Sequence, residues 1–237
     1  MCLITPQMTT IVHSLDPVTL IGGGEVGPSD LDLARSFAPR CVAADGGASV
    51  AMAVGIYLDA VVGDFDSLDA RVLAQIPVDR RHHIPEQNST DFDKCLRHIA
   101  APVVVAVGFS GGRLDHQMAA MHTLVARADR PCVILGAHEV VFHCPPQITL
   151  PTQTGDVVSL FPLSEVTGTS TGLEWPIDGL KFAPDRYVGT SNRAVGPLQL
   201  TMSGTGMLCI VPRRMLGSVI QALVSQRDRA TWPAPAG

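Results

Sequence analysis

The chain has 237 residues and a formal net charge of −5, with 46% hydrophobic and 16% charged residues. This length suits one large domain or two small ones, and the composition is typical of a folded chain. The 17 lysine and arginine residues form no basic run of the kind that follows a phosphate backbone, so we expect no nucleic-acid partner. No uninterrupted apolar run reaches the ~18 residues that a membrane span requires.

The six cysteines give no zinc-like spacing, because the closest two, Cys132 and Cys144, are 12 positions apart. Residues 1–17 contain no lysine or arginine and no long apolar run, so they do not resemble a signal peptide. We interpret them as a loose leader and expect a cytoplasmic protein.

From Val18 to about Pro146, short β-branched runs alternate with segments in which apolar residues have helical spacing. The predicted strands are 18–23, 41–45, 60–64, 103–108 and 132–135, and the predicted helices are 29–38, 48–55, 68–76, 90–100 and 114–128. This alternation favours a parallel sheet that is covered on both faces. We therefore predict a doubly wound α/β domain over residues 18–146.

After Pro146 the composition changes, since Gly, Thr, Ser and Pro become frequent and helical spacing is absent until about Met215. Five segments have the pattern of short antiparallel strands joined by turns, namely 156–163, 164–171, 187–192, 198–203 and 206–213. Residues 147–237 are therefore predicted to form a second, all-β domain.

Acidic residues follow several predicted strands. The ADGG stretch (44–47) follows one strand, GDFDS (63–67) follows the next, and FSGGRLDH (109–116) follows a third. STDFDKCL (89–96) begins a helix for which Ser89 or Thr90 is a suitable N-cap. Ligands of open parallel sheets bind beyond the carboxyl ends of the strands, so these stretches should meet at one edge. The acidic residues expected there are Asp45, Asp64, Asp66 and Asp91.

These residue types suit phosphoryl or pyrophosphoryl transfer. Mg²⁺ prefers oxygen ligands and usually combines one or two carboxylates with water and substrate phosphates. Asp64 and Asp66 can converge on one ion only if the chain turns at Phe65, and Gly63 makes that turn easier. Lys94 lies three residues after Asp91, on the same helix face.

Glycines at 22–24, 46–47 and 111–112 allow backbone N–H groups to approach phosphate, and the helix that begins after Arg113 adds positive potential. Each motif alone also fits a structural role, because an Asp in a first helical turn is often a cap and DGG is often a turn. The coincidence of four acidic positions on one sheet edge favours a metal and polyphosphate site.

The chain closely resembles the thiamine pyrophosphokinase family over about residues 18–212. GDFDS, TDF-x-K and GGR-x-DH in that order form a specific combination. Ser49 departs from the family pattern, which often has Asn after DGGA. The matching stretches are ADGGA (44–48), GDFDS (63–67), STDFDKCL (89–96), GGRLDH (111–116), GLEWPIDG (172–179) and TSN (190–192).

The resemblance implies an N-terminal ATP-binding domain and a C-terminal β-sandwich that helps to hold thiamine, in a homodimer. The implied reaction uses Mg²⁺ and transfers the terminal pyrophosphoryl group of ATP to the thiamine hydroxyl, with release of AMP. The implied catalytic residues are Asp64, Asp66, Asp91, Lys94 and Arg113, and the implied metal ligands are Asp45, Asp64, Asp66 and Asp91. ATP is expected to contact Asp45, Gly46, Gly47, Thr90, Gly111 and Gly112, and thiamine is expected to contact Asp115, Trp175, Ser191 and Asn192.

Other functions remain open from the sequence. The chain could be a pyrophosphokinase for another heterocyclic alcohol such as a pterin, or a non-catalytic module that binds a nucleotide or thiamine. A phosphohydrolase with Asp64 as its nucleophile is disfavoured, because GDFDS follows about the third predicted strand and such nucleophiles tend to follow the first. Trp175 could also simply fill the interior of the β domain.

Overall fold

The structure is a computed structural model and describes residues 9–226 and residue 232. Its strands are β1 (Val12–His13), β2 (Val18–Ile21), β3 (Arg40–Ala44), β4 (Ala60–Gly63), β5 (Arg81–His83), β6 (Ile99–Ala100), β7 (Val104–Val107), β8 (Cys132–Leu135), β9 (Glu139–His143), β10 (Gln147–Leu150), β11 (Val157–Pro162), β12 (Gly168–Leu173), β13 (Gly189–Met202) and β14 (Met207–Pro212). Its α-helices are α1 (Asp30–Phe37), α2 (Gly47–Ala53), α3 (Ala70–Gln75), α4 (Asp91–His98), α5 (Leu114–Ala126) and α6 (Leu216–Gln226).

Most strands belong to one nine-stranded mixed sheet with the order β10-β13-β11-β14-β9-β8-β7-β2, and β12 lies beside β13. Strands β2, β7 and β8 are parallel, whereas β9 is antiparallel to both β8 and β14. Strands β3, β4 and β5 form a parallel group, with β3 next to β2. The expected α/β arrangement is confirmed, but as a mixed sheet that continues into the strand-rich C-terminal part.

Helices cover both faces of the parallel strands. Successive strand residues point to opposite faces, so adjacent residues of β4 enter different hydrophobic clusters. Val61 belongs to the cluster that includes residues of α1 and α2, and Val62 belongs to the cluster that includes residues of α4 and α5. Because both faces are buried, these strands are nearly continuous apolar runs, which is why the sequence predicts them well.

Strand β13 is longer than expected, since the sequence predicts two strands, 187–192 and 198–203, in place of one. Its first part pairs with β11, and its second part pairs with β10 and β12. Gly196 and Pro197 suggest a break, but they lie where the pairing with β12 shifts register between Thr171 and Leu173. Proline lacks the N–H that a regular ladder uses and is tolerated at such an irregularity.

The predicted leader is partly ordered against the α/β part. Val12 is only 5% exposed, and β1 pairs in parallel with β6. The backbone N–H of Ile11 donates to His98 O at 2.9 Å. Residues 1–8 of the leader lie outside the described residues. Among the residues that the structure describes, no helix has the length and hydropathy needed to cross a membrane.

Candidate active site

Three carboxylates meet at the carboxyl ends of β3 and β4 and at the start of α4. Asp45 follows β3, Asp64 follows β4, and Asp91 is the first residue of α4. One carboxylate oxygen from each residue lies within 4.8 Å of the other two. The structure therefore brings together three of the four acidic residues expected at this edge, while Asp66 lies outside the group.

Tight backbone turns place these carboxylates. Asp45 and Phe65 have φ angles of 41° and 62°, in the left-handed region that non-glycine residues rarely adopt. The turn at Phe65 is the one that the GDFDS stretch requires. Gly63 is needed for close packing, because a Cβ at this position would lie 2.8 Å from Asp45 Cβ. The glycine thus allows the neighbouring strand to present Asp45.

Asp45 combines deep burial with an unused acceptor. Asp45 is only 2% exposed. Its Oδ2 accepts a hydrogen bond from the Ser67 hydroxyl and another, at 3.3 Å, from the Ser67 backbone N–H. Among the described residues, Oδ1 is buried and has no hydrogen-bond partner. Buried carboxylate oxygens normally have a partner, so this atom is suited to a ligand such as a cation.

Lys94 bridges the other two carboxylates from an almost fully buried position, with 1% exposure. Its Nζ lies 2.9 Å from Asp64 Oδ2 and 3.1 Å from Asp91 Oδ1. The hydrogen bond from Lys94 lowers the pKa of Asp64 to about 2. Burial raises the pKa of Asp91 against the opposing effect of Lys94. Burial disfavours the Lys94 ammonium, but its two hydrogen bonds outweigh burial and raise its pKa.

The start of α4 has the cap that the sequence predicts. Thr90 is the N-cap residue, and its Oγ1 accepts a hydrogen bond from Asp93 N at 3.3 Å. This cap fixes the first turn of the helix, from which Asp91 and Lys94 point to the same site. Thr90 therefore contributes to the site through the backbone of α4, and its contact with ATP stays a prediction.

Asp66 is exposed and borders the three-carboxylate group. Its backbone N–H donates to Asp64 Oδ1 at 3.3 Å, and the charge of Asp64 raises the pKa of Asp66. Sequence reasoning missed two residues of this site. The Ser67 hydroxyl donates a hydrogen bond to Asp45, and Gln87 Nε2 donates to Asp64 Oδ2 at 3.0 Å. Ser67 belongs to GDFDS, whereas Gln87 precedes STDFDKCL without a motif of its own.

Glycine-containing loops from three strands pack backbone to backbone beside the carboxylates. The N–H of Gly24 donates to Gly108 O at 3.1 Å, which joins the loops after β2 and β7. A Cβ on Gly47 would clash with Ile21 O, so α2 can approach the end of β2 only with glycine there. Gly111 has a φ of 84° and faces the side chain of Glu25.

Arg113 and Asp115 form an exposed pair at the start of α5. Arg113 NH2 lies 2.6 Å from Asp115 Oδ2, and Arg113 Nε lies 3.1 Å from Asp115 Oδ1. The hydrogen bond from Arg113 lowers the pKa of Asp115. An exposed pair of this kind contributes little to stability, so both side chains can turn to a ligand at small cost.

The predicted thiamine residues of the β part form a local group. Asn192 is buried, and its Nδ2 donates to Trp175 O at 2.7 Å while its Oδ1 accepts from Arg193 N at 2.8 Å. Its side chain thereby holds the GLEWP turn, and a contact with thiamine stays a prediction. Trp175 is 54% exposed, which contradicts the alternative that it fills the interior. Ser191 is also exposed and has a φ of 62°.

Two family models match the chain, one over the α/β part and the other over the strand-rich part. The thiamin pyrophosphokinase catalytic domain matches residues 33–135, and the thiamin pyrophosphokinase vitamin B1 binding domain matches residues 144–203. The chain belongs to the thiamin pyrophosphokinase family. The first match contains the three clustered carboxylates and Lys94, and the second contains Trp175 and Asn192. The family and enzyme class predicted from the sequence are therefore confirmed.

Curated relatives and solved structures agree with this membership. Thiamine pyrophosphokinase 2 of Arabidopsis thaliana is 23% identical over 192 residues, which cover 69% of this chain and 68% of the relative. Thiamine pyrophosphokinase 3 of Oryza sativa subsp. japonica is 28% identical over 156 residues, which cover 56% of this chain and 57% of the relative. Thiamin pyrophosphokinase from Geobacillus thermodenitrificans has a TM-score of 0.68 and 25% identity, covering 83% of this chain and 96% of that one.

Proposed function

We propose that this chain transfers a pyrophosphoryl group from ATP to the hydroxyl of thiamine and yields thiamine diphosphate and AMP. The observation that carries the proposal is the carboxylate cluster with its buried lysine, which lies within the match to a thiamin pyrophosphokinase catalytic domain. In this reaction the thiamine oxygen bonds to the β-phosphorus, the bond from that phosphorus to the α–β bridging oxygen breaks, and AMP leaves. The proton of the thiamine hydroxyl is released to solvent.

The donor set fits a Mg²⁺ ion held by Asp45, Asp64 and Asp91. All three offer hard oxygen ligands close to one another, and the unpartnered Oδ1 of Asp45 supports this assignment. Asp66 is proposed as a further ligand, because its exposed side chain follows Asp64 by two residues, across the turn at Phe65. Mg²⁺ in such a site neutralises charge on the polyphosphate of the co-substrate.

The chain's own cations complement the polyphosphate. Lys94 supplies a compact positive charge beside Asp64 and Asp91, where it can stabilise negative charge on the transferred group. Arg113 offers a planar fork that can bind phosphate oxygens in a bidentate manner after it leaves Asp115. The ATP contacts proposed for the glycine-containing loops are those of Gly46, Gly47, Gly111 and Gly112.

The thiamine end of the site is proposed to lie between Asp115 and the strand-rich part. Thiamine carries a permanently cationic ring, and an exposed tryptophan face attracts a cation by about 0.5 to 2 kcal/mol. The 54% exposure of Trp175 supports such a contact. Ser191, exposed beside Asn192, is proposed to hydrogen-bond the other ring of thiamine.

We also propose a homodimer, in which the strand-rich part completes the site of the partner. Exposed apolar side chains on β11 and β13 support an interface, and the main ones are Val157, Phe161 and Val195. The division near residue 146, the doubly wound topology, the β-sandwich and a cytoplasmic location remain predictions.

Product analysis tests the function directly. The purified chain is incubated with ATP, Mg²⁺ and thiamine, and the nucleotide and thiamine products are identified by chromatography and mass spectrometry. We expect AMP and thiamine diphosphate in equal amounts. ADP as the nucleotide product, or phosphate release without consumption of thiamine, would overturn the proposal. Parallel incubation with a pterin alcohol distinguishes the alternative pyrophosphokinase.

A further inference from the structure

The loop at residues 84–90 delivers several groups to the active site. It connects β5 to α4 and ends at Thr90, the N-cap of the helix that carries Asp91 and Lys94. Within the loop, Gln87 Nε2 donates to Asp64 Oδ2 at 3.0 Å. The position of this loop therefore determines how α4 and Gln87 meet the end of β4.

Arg97 holds this loop from the last turn of α4. Its NH2 lies 2.6 Å from Glu86 Oε1 and 2.8 Å from Ser89 Oγ. Glu86 also accepts hydrogen bonds from the Ser89 hydroxyl and, at 2.8 Å, from Asn88 N. Led by the Ser89 hydrogen bond, these donors lower the pKa of Glu86 to about 2, so the carboxylate is charged near neutral pH.

A second contact fixes α4 independently of Arg97. Asp93 receives a bidentate pair from Arg127, with Arg127 Nε 2.6 Å from Oδ1 and NH2 3.2 Å from Oδ2. Arg97 Nε lies 3.0 Å from Asp93 Oδ2, but its geometry does not give a hydrogen bond. Because Arg127 already satisfies Asp93, the specific contribution of Arg97 is to the loop.

We propose that Arg97 is a positioning residue that acts through Glu86 and Ser89 to hold the 84–90 loop, and with it Gln87, against Asp64. The proposal rests on the proposed function. Arg97 touches none of the clustered carboxylates, since its contacts are with Glu86, Ser89 and Asp93. A displacement of about 1 Å at a remote support can lower the rate of a positioned reaction by roughly a hundredfold.

The test compares Arg97→Met with Arg97→Lys and with the matched control Arg40→Met. Arg40 pairs with Asp59 at 3.0 Å at the amino ends of β3 and β4, opposite the carboxyl edge that holds the site. Arg97→Met should lower kcat about 10- to 100-fold and leave the KM for thiamine within about twofold. Arg97→Lys should retain intermediate activity. Arg40→Met should lower the thermal midpoint without a change in kcat.

A double-mutant cycle and hydrogen exchange identify the route of the effect. If Arg97 acts through Glu86, the double variant with Arg97→Met and Glu86→Gln should lose little more activity than either single variant. Backbone amide exchange in residues 84–90 should accelerate in Arg97→Met and stay unchanged in Arg40→Met. Wild-type kcat in Arg97→Met, or unchanged exchange of this loop, would overturn the proposal.

The readouts separate this proposal from the proposed function. A wild-type chain that makes no thiamine diphosphate and AMP would refute the proposed function, whereas exchange in the 84–90 loop does not depend on any substrate. Full additivity of Arg97→Met with both Glu86→Gln and Ser89→Ala would show that Arg97 does not act through this loop.

Discussion

Lys94 and Asp64 form a nearly buried ion pair in which Nζ lies 2.9 Å from Oδ2. The same ammonium lies 3.1 Å from Asp91, so one lysine is shared between two of the three carboxylates proposed to bind Mg²⁺. A cation that enters this site must therefore share or replace the contacts of Lys94. In the metal-free protein Lys94 alone offsets the charge of these two carboxylates, so its loss should lower stability as well as activity.

Lys94→Met should destabilise the metal-free protein and increase its response to Mg²⁺. Removing one partner of a buried pair costs about 3 kcal/mol or more, and we expect about 2 because Asp91 is 34% exposed. Mg²⁺ should then raise the thermal midpoint of Lys94→Met more than that of the wild type, because the carboxylates are no longer shared. Thermal unfolding with and without Mg²⁺ measures this, with the exposed Lys181→Met as control. Equal Mg²⁺ responses would contradict the competition.

Asp66→Asn should lower Mg²⁺-dependent turnover on the order of a hundredfold if Asp66 joins the ion, as proposed. The metal-free protein should be no less stable than the wild type, since the substitution removes a negative charge that Asp64 opposes. Steady-state assays across Mg²⁺ concentrations and thermal unfolding test the two parts. Asp69→Asn is the matched control, because Asn at that exposed position still caps α3. Normal turnover in Asp66→Asn would show that the three clustered carboxylates suffice.

Gly63→Ala should impair the site by displacing Asp45. The new Cβ would lie 2.8 Å from Asp45 Cβ and 3.3 Å from Asp45 Cα, so the neighbouring strand must move. Overpacking of this kind costs about 1 to 3 kcal/mol, and the loss of turnover should exceed what the fraction of unfolded protein explains. Urea unfolding and assays on the same samples provide the comparison. Gly196→Ala, where an added Cβ meets nothing within 4 Å, should leave both unchanged.

The sequence predicts the parallel strands and their helices well because two signals agree there. Buried strands such as β4 and β8 are continuous apolar runs, and the intervening helices have regular apolar spacing. It predicts the strand-rich part less well, since β9 and β10 flank the change in composition at Pro146 and have no strand pattern of their own in the sequence. The sequence also divides strand β13 at Gly196 and Pro197, because its pairing with β12 cannot be read from local residues.

The site shows the same difference between features with a local sequence pattern, which are predicted, and contacts between distant segments, which are not. Asp45 and Asp64 are predicted to meet because the carboxyl ends of neighbouring parallel strands converge, and Asp91 joins them because its N-cap predicts the start of a helix there. The exposed position of Asp66 depends on the turn geometry after Phe65. Contacts between distant segments, such as Arg127 with Asp93 at a separation of 34 residues, have no local signal. Sequence reasoning therefore brings the proposed ligands together and misses the residues that hold them.

Acid should destabilise the protein through His143 at a higher pH than through Asp64 and Glu86. Burial lowers the pKa of His143 from 6.5 to about 4, so the unfolded state binds a proton more readily than the folded state between these values. The contribution is fully present above pH 6.5 and is lost as pH falls to 4, by about 3 kcal/mol in total. Asp64 and Glu86, with pKa values of about 2, add their loss only at lower pH.

Urea unfolding at pH 7 and pH 5 measures this effect in the wild type and in His143→Phe. The variant should lose less stability between the two pH values, whatever its stability at pH 7. His122→Gln, at an exposed position, is the control and should follow the wild type. Identical pH dependence in His143→Phe and the wild type would assign the acid sensitivity to other groups.

Subunit mixing should show whether the thiamine site is shared between two protomers. Asp64→Asn removes a proposed metal ligand of the α/β part and should be inactive, and Trp175→Ala removes the exposed aromatic face of the strand-rich part. The second variant should have low activity at thiamine concentrations well below the wild-type KM, where the mixture is assayed. In a composite site, random exchange makes half of the dimers mixed, and each mixed dimer has one intact site. An equal mixture should therefore recover about one quarter of wild-type activity.

Mixing Asp64→Asn with Lys94→Met, which alter the same half of the site, should recover none. Differently tagged copies must be shown to exchange by co-purification, and inactivity of the first mixture after proven exchange would place each thiamine site within one protomer.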